Sequence, residues 1–300
     1  MYRHKELSEF IGKIKVADRK PVYLKQFATE VHFSYIDKEK GEDLLEEGIK
    51  QLSRSQDILY AHNKYSVLIV FQAMDAAGKD GAIKHVMSGL NPVGVKVHSF
   101  KTPTRHELDH DYFWRHYQVL PARGEITIFN RSHYENVLVT RVHPEYILHE
   151  NIPGINNVED ITQEFWDHRF KQIRRFEKNL TENGTIIIKI FLHVSKDVQK
   201  KRFLERIDDS TKNWKFSAAD VDERGFWEQY QHAYAETIAA TSTREAPWYI
   251  VPADDKWIAR LCIAAIINRV IDSLDMQYPV LSELEKKKLE EAKSKLLKEK

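Results

Sequence analysis

The sequence predicts a doubly wound α/β fold, in which helices cover both faces of a mainly parallel sheet. Five apolar runs have the length and composition of buried strands, and they are SVLIVFQA (66–73), VKVHSF (95–100), EITIFN (125–130), TIIIKIFLHV (185–194) and WYIVPA (248–253). Helical patterns separate these runs, at 81–89, 107–117, 160–183, 196–207, 220–241 and 255–274. Regular alternation of strands and helices indicates βαβ units and therefore a five-stranded parallel sheet.

The chain divides by pattern into a leading segment, one large domain and a charged tail. Residues 1–41 are weakly patterned, and we expect an N-terminal extension packed on the body. The domain, 42–275, starts with a stretch whose apolar residues are spaced for one stripe of a helix. The tail, 276–300, contains SELEKKKLEEAKSKLLKEK and is expected to be a charged helix or a frayed end.

Charge and cysteine usage narrow the class of protein. The net charge of +1 gives no global sign of a nucleic-acid or membrane partner, so any anion site must come from local clustering. The single cysteine, Cys262, excludes an internal disulfide and suits a reducing compartment. Neither a signal segment nor a run of about 18 apolar residues occurs, so we expect a cytoplasmic protein.

The segment FQAMDAAGKDG, 71–81, resembles a phosphate-binding loop with two departures. The usual pattern is G-x-x-x-x-G-K-[ST], but Ala73 replaces its first glycine and Asp80 replaces its hydroxyl residue. The segment follows the most hydrophobic strand and opens a helix, where backbone N–H groups face an anion. The residues expected to bind phosphate are Ala76, Ala77, Gly78, Lys79, Asp80 and Gly81, with Lys84 on the helix that follows.

Two carboxylates, Asp75 and Asp80, flank this positively polarised loop. They would repel a polyanion unless a divalent cation lies between them. The pattern therefore predicts Mg²⁺, or Mn²⁺ in its place, with Asp75 as the protein ligand that replaces the missing hydroxyl. The alternative is an ordinary strand-to-helix turn that carries a solvated lysine and aspartate.

A second polar group, IFNRSHYE (128–135), follows the third predicted strand. Its side chains should emerge at the carboxyl edge of the sheet, where ligands bind in open α/β folds. Arg131 is a candidate contact for a transferring phosphoryl group. Asn130 stands where many such proteins place a metal-directing aspartate, which makes it a second candidate metal ligand.

A third group of charges lies in KKRFLERIDDSTKNWKF, 200–216. Arg202 and Arg206 are four residues apart and would share one helical face, and Lys212 and Lys215 follow in a loop. Such a segment can form an arginine-bearing lid over phosphates, here about 196–218. The alternative is a solvated helix face.

Taken together, these segments resemble the polyphosphate kinase 2 family over about residues 42–275. The motifs that carry the resemblance are MDAAGKDG, ELDHDYFWR, FNRSHYENVLVTRVHP, FLHVSKDVQKKRFLERIDD, NWKFSAADV and APWYIVPADDKWIARL. The resemblance implies a three-layer αβα P-loop kinase-like fold with a helical lid, and Mg²⁺-dependent phosphate transfer from inorganic polyphosphate to a nucleotide. By matched position, the catalytic residues would be Asp75, Lys79, Arg131, Arg202 and Arg206.

The acceptor is expected to be both AMP and ADP, which would yield ADP and ATP. Asn130 and the letters SHYE resemble the family branch that accepts both, whereas the diphosphate branch carries FDRSWYNR. The candidate nucleotide-binding residues are Asp111, Arg115, Asn130, Ser132 and Glu135, and a homo-oligomer, dimer or tetramer, is expected. Three aromatic residues, Trp114, Tyr134 and Trp214, could stack on a base, although aromatics at such spacing are more often core.

Three other functions fit parts of the sequence. HELDH, 106–110, matches the H-E-x-x-H pattern of zinc hydrolases, and stoichiometric zinc would support that function. An ATP-dependent nucleotide kinase of the thymidylate type would use the same loop, and a comparison of donors separates it. A non-catalytic sensor of polyphosphate or nucleotide also remains open, although the paired acidic residues of the loop favour chemistry.

Overall fold

The sheet has six strands in this computed structural model, which describes residues 4–211, 213–215, 217 and 219–299. The strands are β1 Lys15–Val16, β2 Ser66–Ala73, β3 Val95–Ser99, β4 Ile126–Asn130, β5 Thr185–His193 and β6 Trp248–Pro252, in the spatial order β1-β6-β5-β2-β4-β3. The neighbouring strands among β2, β3, β4, β5 and β6 pair in parallel, and β1 pairs antiparallel with β6. The predicted α/β class and parallel sheet are confirmed.

The one strand that the sequence did not predict is β1. It contains only two residues, which is too short for any alternation of apolar and polar residues to show. It lies within 1–41, where Lys15 pairs with Tyr249 and Val16 with Trp248 at the edge of the sheet. The expected five strands are therefore six.

Helices lie on both faces of this sheet. They are α1 Lys5–Ile14, α2 Lys38–His62, α3 Lys79–Val86, α4 Arg105–Leu108, α5 Trp114–Tyr117, α6 Glu135–Val142, α7 Gln163–Glu182, α8 Lys196–Asp208, α9 Ala219–Glu223, α10 Trp227–Thr241, α11 Lys256–Asp272 and α12 Glu283–Leu296. α11 packs against α1, α2 and α3, while α10 packs against α6 and α7. Since both α7 and α11 contact β5, the two groups of helices form the outer layers of an αβα arrangement.

The helices differ from the prediction in several places. The stretch 107–117 forms two short helices, α4 and α5, because Asp109 ends the first and Phe113 begins the second. The stretch 220–241 is divided among α9, a 3₁₀ turn at Arg224–Phe226 and α10. α6 was not predicted, since its polar first residues continue directly from the motif at the end of β4.

The residues before α2 contribute to the same core as the rest of the chain. Leu7, Ile11 and Ile14 of α1 are buried, and α1 contacts α11 and β6. Leu24 and Ile36 are buried further along the segment. Burial of these side chains contributes on the order of 1.5–3 kcal/mol each.

The central strand β2 places the candidate loop. All eight of its residues are buried because β4 and β5 flank it and helices cover both faces. Phe71 of β2 lies opposite Asn130 of β4, so the segments that follow the two strands leave the sheet at the same carboxyl edge. Within the part of the chain that the structure describes, none of the helices combines the length and apolarity needed to span a membrane.

Candidate active site at the phosphate loop

The candidate phosphate loop turns from β2 into α3 through two left-handed residues. Ala76 has φ 56° and Gly78 has φ 98°. A glycine tolerates the second value without strain, so Gly78 is the residue that this turn requires as the N-cap of α3. The turn points the first N–H groups of α3 out of the carboxyl edge of the sheet, where they can meet an anion.

Lys79 is the first residue of α3, and its ammonium group lies inside the loop. Its Nζ donates to the carbonyl oxygen of Ala73 at 2.9 Å. Burial lowers the pKa of Lys79, and the nearby Arg131 guanidinium lowers it further. The carboxylates of Asp75, Glu135 and Asp80 act in the opposite direction. A phosphate at this place would strongly favour the protonated form of the lysine.

Two polar pairs connect the loop to the end of β4. The Arg131 guanidinium donates to Oδ1 of Asp75 at 3.1 Å, and Nδ2 of Asn130 donates to Oδ1 of Asp80 at 2.8 Å. Arg131 has a positive φ of 60°, and its backbone N–H donates to Phe71 O. The two sequence motifs therefore meet as one site, as their positions at adjacent strand ends predict.

A cavity of about 240 Å³ opens beside the loop, and we call it the loop cavity. It is lined by Ala73, Met74, Asp75, Thr102, Arg131, Glu135, Val139, Tyr146, Gln199, Asp220, Glu223, Arg224, Tyr230 and Tyr234. Glu135 is the first residue of α6; burial raises its pKa, while Arg131 and Lys79 lower it. The cavity thus combines cations, carboxylates and three tyrosines.

Several lining residues were absent from the sequence prediction. Tyr230 and Tyr234 come from α10, and Tyr146 comes from the 3₁₀ segment Pro144–Glu150. No motif marks them; the i, i+4 spacing of the first two indicates only a shared helix face. Their place in the site follows from the packing of α10 against α6.

Arg202 lies in a different place from the one its spacing suggested. Its side chain is buried, and Nη1 donates to the carbonyl oxygens of Ala76 at 3.2 Å and Ala77 at 2.9 Å. Nη2 donates to Ala253 O at 2.7 Å and Asp254 O at 2.9 Å. Arg202 therefore braces the phosphate loop against the turn between β6 and α11, where the expectation was an outward lid surface.

Arg206, four residues further along α8, contacts α9. Its guanidinium lies 3.5 Å from a carboxylate oxygen of Asp220, in α9. Burial raises the pKa of Asp220, and Asp75 raises it further. Of the two other expected lid cations, Lys212 lies outside the described residues, and so does the side chain of Lys215.

The remaining candidate residues have mixed positions. Lys84 is exposed on α3, and Gly81 lies in the same helix with open space beside it. Ser132 is fully buried, and its hydroxyl oxygen accepts from Nε2 of Gln72 and from the N–H of Tyr134. These contacts give Ser132 a role in shaping the turn after β4.

Asp111 and Arg115 lie outside the group of residues that lines the loop cavity. Asp111 accepts a hydrogen bond from the N–H of Phe113 and begins the turn before α5. The guanidinium of Arg115 donates to Lys101 O at 2.9 Å and lies 3.6 Å from Glu107. Both residues therefore organise the segment between β3 and β4, and the nucleotide contact expected of them stays a prediction.

The HELDH segment caps a helix. Glu107 and Thr104 form a reciprocal capping box at the start of α4, in which each accepts from the other's N–H. The rings of His106 and His110 contact each other with centroids 4.9 Å apart. Across the described ranges, no three histidine, cysteine, aspartate or glutamate residues are placed to hold a metal ion. This geometry gives no support to a zinc site.

Comparisons with known proteins bear on the family of this chain. The family model described as Polyphosphate kinase 2 matches residues 35–279. A protein of Rhodopseudomonas palustris named ADP-polyphosphate phosphotransferase is 48% identical over 95% of this chain and 98% of its own length. An AMP/ADP-polyphosphate phosphotransferase of Meiothermus ruber is 45% identical over 77% of this chain and 80% of its own. The crystal structure of polyphosphate kinase 2 from Arthrobacter aurescens superposes with a TM-score of 0.83 at 34% identity, covering 95% of this chain and 96% of that one.

Proposed function

The chain belongs to the polyphosphate kinase 2 family, and we propose that it transfers the terminal phosphoryl group of inorganic polyphosphate to AMP and to ADP. It is an enzyme that transfers phosphate. The observation that carries the proposal is the meeting of Asp75, Lys79 and Arg131 at one sheet edge beside the loop cavity. Each transfer would move one phosphoryl group, and the reaction is reversible in principle.

The donor end would lie on the phosphate loop. The N–H groups at the start of α3 would bind the donor phosphates, and Lys79 and Arg131 would contact the transferred group. An oxygen of the nucleotide's terminal phosphate attacks phosphorus, and the bond to the bridging oxygen of the donor breaks. Such transfer depends on positioning and charge neutralisation, which fixed cations supply.

The acceptor nucleotide would lie in the loop cavity. Arg131 and Arg224 offer guanidinium groups to its phosphate, and Tyr146 and Tyr230 offer rings to its base or ribose. The cavity volume of about 240 Å³ suits part of a nucleotide, and its open side can take the remainder. Glu135 lines the wall next to Arg131 and would orient the acceptor.

A magnesium ion fits the donor set of the loop, with Mn²⁺ as a substitute. Asp75 faces the loop cavity, and Asp80 lies by Asn130 at the same sheet edge, but no larger cluster of ligands surrounds either in the described residues. Mg²⁺ commonly binds one or two carboxylates and completes its shell with water and substrate phosphates. When bound, the ion would neutralise charge on the phosphate oxygens. Asp75 would hold it, with Asn130 as a further candidate.

The acceptor range needs a direct test because the two named relatives differ. One is named for ADP alone and the other for AMP and ADP. AMP and ADP should be incubated separately with long-chain polyphosphate and Mg²⁺, and the nucleotide products identified. We expect ADP and then ATP from AMP, and ATP from ADP. A protein that converts ADP and leaves millimolar AMP unchanged would restrict the function to ADP.

The same assay separates the rival kinase and tests the metal. A thymidylate-type enzyme would phosphorylate a monophosphate with ATP as donor and stay inactive with polyphosphate. We expect activity with polyphosphate, its loss in EDTA, and its return with excess Mg²⁺ or Mn²⁺. Full activity in EDTA would exclude the proposed metal.

Two other predictions stay with the proposal. A dimer or tetramer is expected in solution, and light scattering of the purified protein measures it. A cytoplasmic location is expected from the single cysteine; Cys262 is buried in α11, and burial raises its thiol pKa to about 12. That thiol is therefore suited to packing and unsuited to nucleophilic chemistry.

A further inference from the structure

Two adjacent residues, Glu223 and Arg224, contact different elements around the loop cavity. They belong to residues 219–226, which directly follow the lid expected at about 196–218; we call α9 and the 3₁₀ turn after it, 219–226, the lid segment. Glu223 lies 3.0 Å from the imidazole of His143, at the end of α6, and accepts from the Tyr230 hydroxyl at 2.7 Å. The next residue, Arg224, turns toward Gln199 of α8. The lid segment therefore contacts α10 and the end of α6 through Glu223 and contacts α8 through Arg224.

Gln199 of α8 connects Arg224 to the phosphate loop. Arg224 donates from Nη1 to Oε1 of Gln199 at 2.6 Å and to Lys196 O at 3.0 Å. The same carboxamide donates from Nε2 to the backbone carbonyl oxygen of Asp75 at 2.9 Å. Gln199 is only 2% exposed, so few water molecules can reach these groups if either hydrogen bond is lost. One buried side chain thus joins the lid segment to the phosphate loop.

We propose that Gln199 is a positioning residue that couples closure of the lid segment to the placement of Asp75 in the phosphate loop. This inference rests on the proposed function, because Asp75 is the residue expected to hold the metal. Both polar atoms of the carboxamide are used, and each fixes the rotation of the other about the same side-chain bond. A shift of Arg224 therefore reorients the donor to Asp75 O.

The other neighbours of Asp75 explain why this contact matters. Its carboxylate accepts from Arg131, while Arg202 holds the carbonyl oxygens of Ala76 and Ala77. Arg202 connects the loop to the turn after β6. Its hydrogen bonds among the described residues go to that turn and to the loop, and none goes to the lid segment. Gln199 is therefore the buried link by which the lid segment reaches the backbone of Asp75. Loss of that link should affect turnover more than donor binding.

Three variants test the coupling. Gln199→Met removes both hydrogen bonds at similar volume. Gln199→Glu keeps an acceptor for Arg224 but turns a carboxylate oxygen toward Asp75 O, so it separates holding the lid from positioning the loop. The control is Gln56→Met. Gln56 is also 2% exposed, and its carboxamide also makes two short hydrogen bonds, both with the backbone of Asn91 and away from the site.

Kinetics give the first readout. Wild-type protein is assayed first with polyphosphate and AMP or ADP separately, and inactivity with both nucleotides would refute the proposed function itself. Given an active wild type, we expect Gln199→Met and Gln199→Glu each to lower kcat about tenfold or more and to change the KM for polyphosphate less than about threefold. Gln56→Met should lose thermal stability at nearly unchanged kcat. If Gln199→Met retains the kcat of Gln56→Met, the coupling is wrong.

Hydrogen exchange of residues 219–226 gives a readout that a purely structural role would not move. In wild-type protein, AMP and polyphosphate together should slow exchange of this segment, and Gln199→Met should remove most of that protection. Normal protection in the variant would overturn the proposal. If Gln199→Met does not fold, Gln199→Glu replaces it, since it removes the hydrogen bond to Asp75 O and keeps an acceptor for Arg224. Unchanged kcat and protection in Gln199→Glu would also overturn the proposal.

Discussion

One group of charges lies in the protein interior and another at the carboxyl edge of the sheet, and the two differ in whether the chain itself completes their hydrogen bonds. The first, which we call the interior cluster, comprises Glu177, Lys189 and Tyr134. Lys189 is fully buried, and its Nζ donates to Glu177 at 2.7 Å, to Thr241 O at 2.9 Å and to the Tyr134 hydroxyl at 3.0 Å. All three N–H donors of this ammonium are thus used.

The second group, the loop cluster, comprises Asp75, Lys79, Arg131 and Glu135. It has similar groups, but the acceptor found for Lys79 among the described residues is one carbonyl oxygen, Ala73 O. Burial lowers the pKa of Lys79 and raises that of Glu135. A completed network fixes structure, whereas an incomplete one has donors left for a ligand. The comparison separates the structural lysine, Lys189, from Lys79, the lysine proposed for catalysis.

The largest expected effect comes from breaking the interior cluster. Lys189→Met should destabilise the protein by about 3–5 kcal/mol, because it leaves the Glu177 carboxylate buried without its cation. Chemical denaturation measures the free energy of unfolding. The double variant Lys189→Met with Glu177→Leu should recover part of the loss, since no charge then remains unpaired. A single variant as stable as wild type would contradict the structural role of this pair.

Next in size is the loss of the loop lysine. Lys79→Ala should lower turnover at least about 10²-fold, because it removes a fixed cation from the transition state. The free energy of unfolding should stay close to that of wild type, the reverse of the pattern for Lys189. Lys50→Ala, on the exposed face of α2, is the control. A folded Lys79→Ala protein with near-normal turnover would refute the assignment.

The sequence predicts a residue well where one local pattern decides its environment. β2 was predicted at Ser66–Ala73 because a continuous apolar run is typical of a strand covered on both faces. The spacing of Arg202 and Arg206 is equally compatible with exposed arginines on the lid surface and with a buried arginine that connects two segments. The sequence therefore could not decide between these two roles. Only the approach of Ala76 and Ala253, far apart in sequence, shows that Arg202 is a brace.

The third prediction compares these two arginines. Arg206→Ala should lower kcat/KM for polyphosphate about tenfold, on the order of 1.4 kcal/mol, with little change in Tm. The loss should shrink at high ionic strength, because it concerns the approach of a polyanion. Arg202→Ala should lower Tm as well as kcat/KM, since four carbonyl oxygens lose their donor. Equal Tm values for the two variants would contradict the bracing role of Arg202 and support the original expectation of a lid-surface residue.

The smallest expected effect is a pH dependence of donor binding, which reports the lowered pKa of Lys79. Polyphosphate binds the protonated lysine, so affinity is present below the pKa of the free enzyme's Lys79 and is lost as the pH rises through it. The KM for polyphosphate should therefore begin to rise at a pH below the ordinary lysine pKa of about 10.4. The measurement is KM at fixed Mg²⁺ as a function of pH.

Other groups of the cavity should stay silent over the same rise in pH. The pKa of Arg131 is raised, so its guanidinium stays charged, and burial raises the pKa values of Tyr230 and Tyr234, which stay neutral. The donor's phosphates are already ionised, since a phosphate's second pKa is about 6. Lys79→Arg keeps a permanent cation at this position and should flatten the profile even if turnover falls. A rise in KM that persists in Lys79→Arg would assign the titration to another group. It would also contradict the claim that an incomplete hydrogen-bond network marks the binding site of the donor.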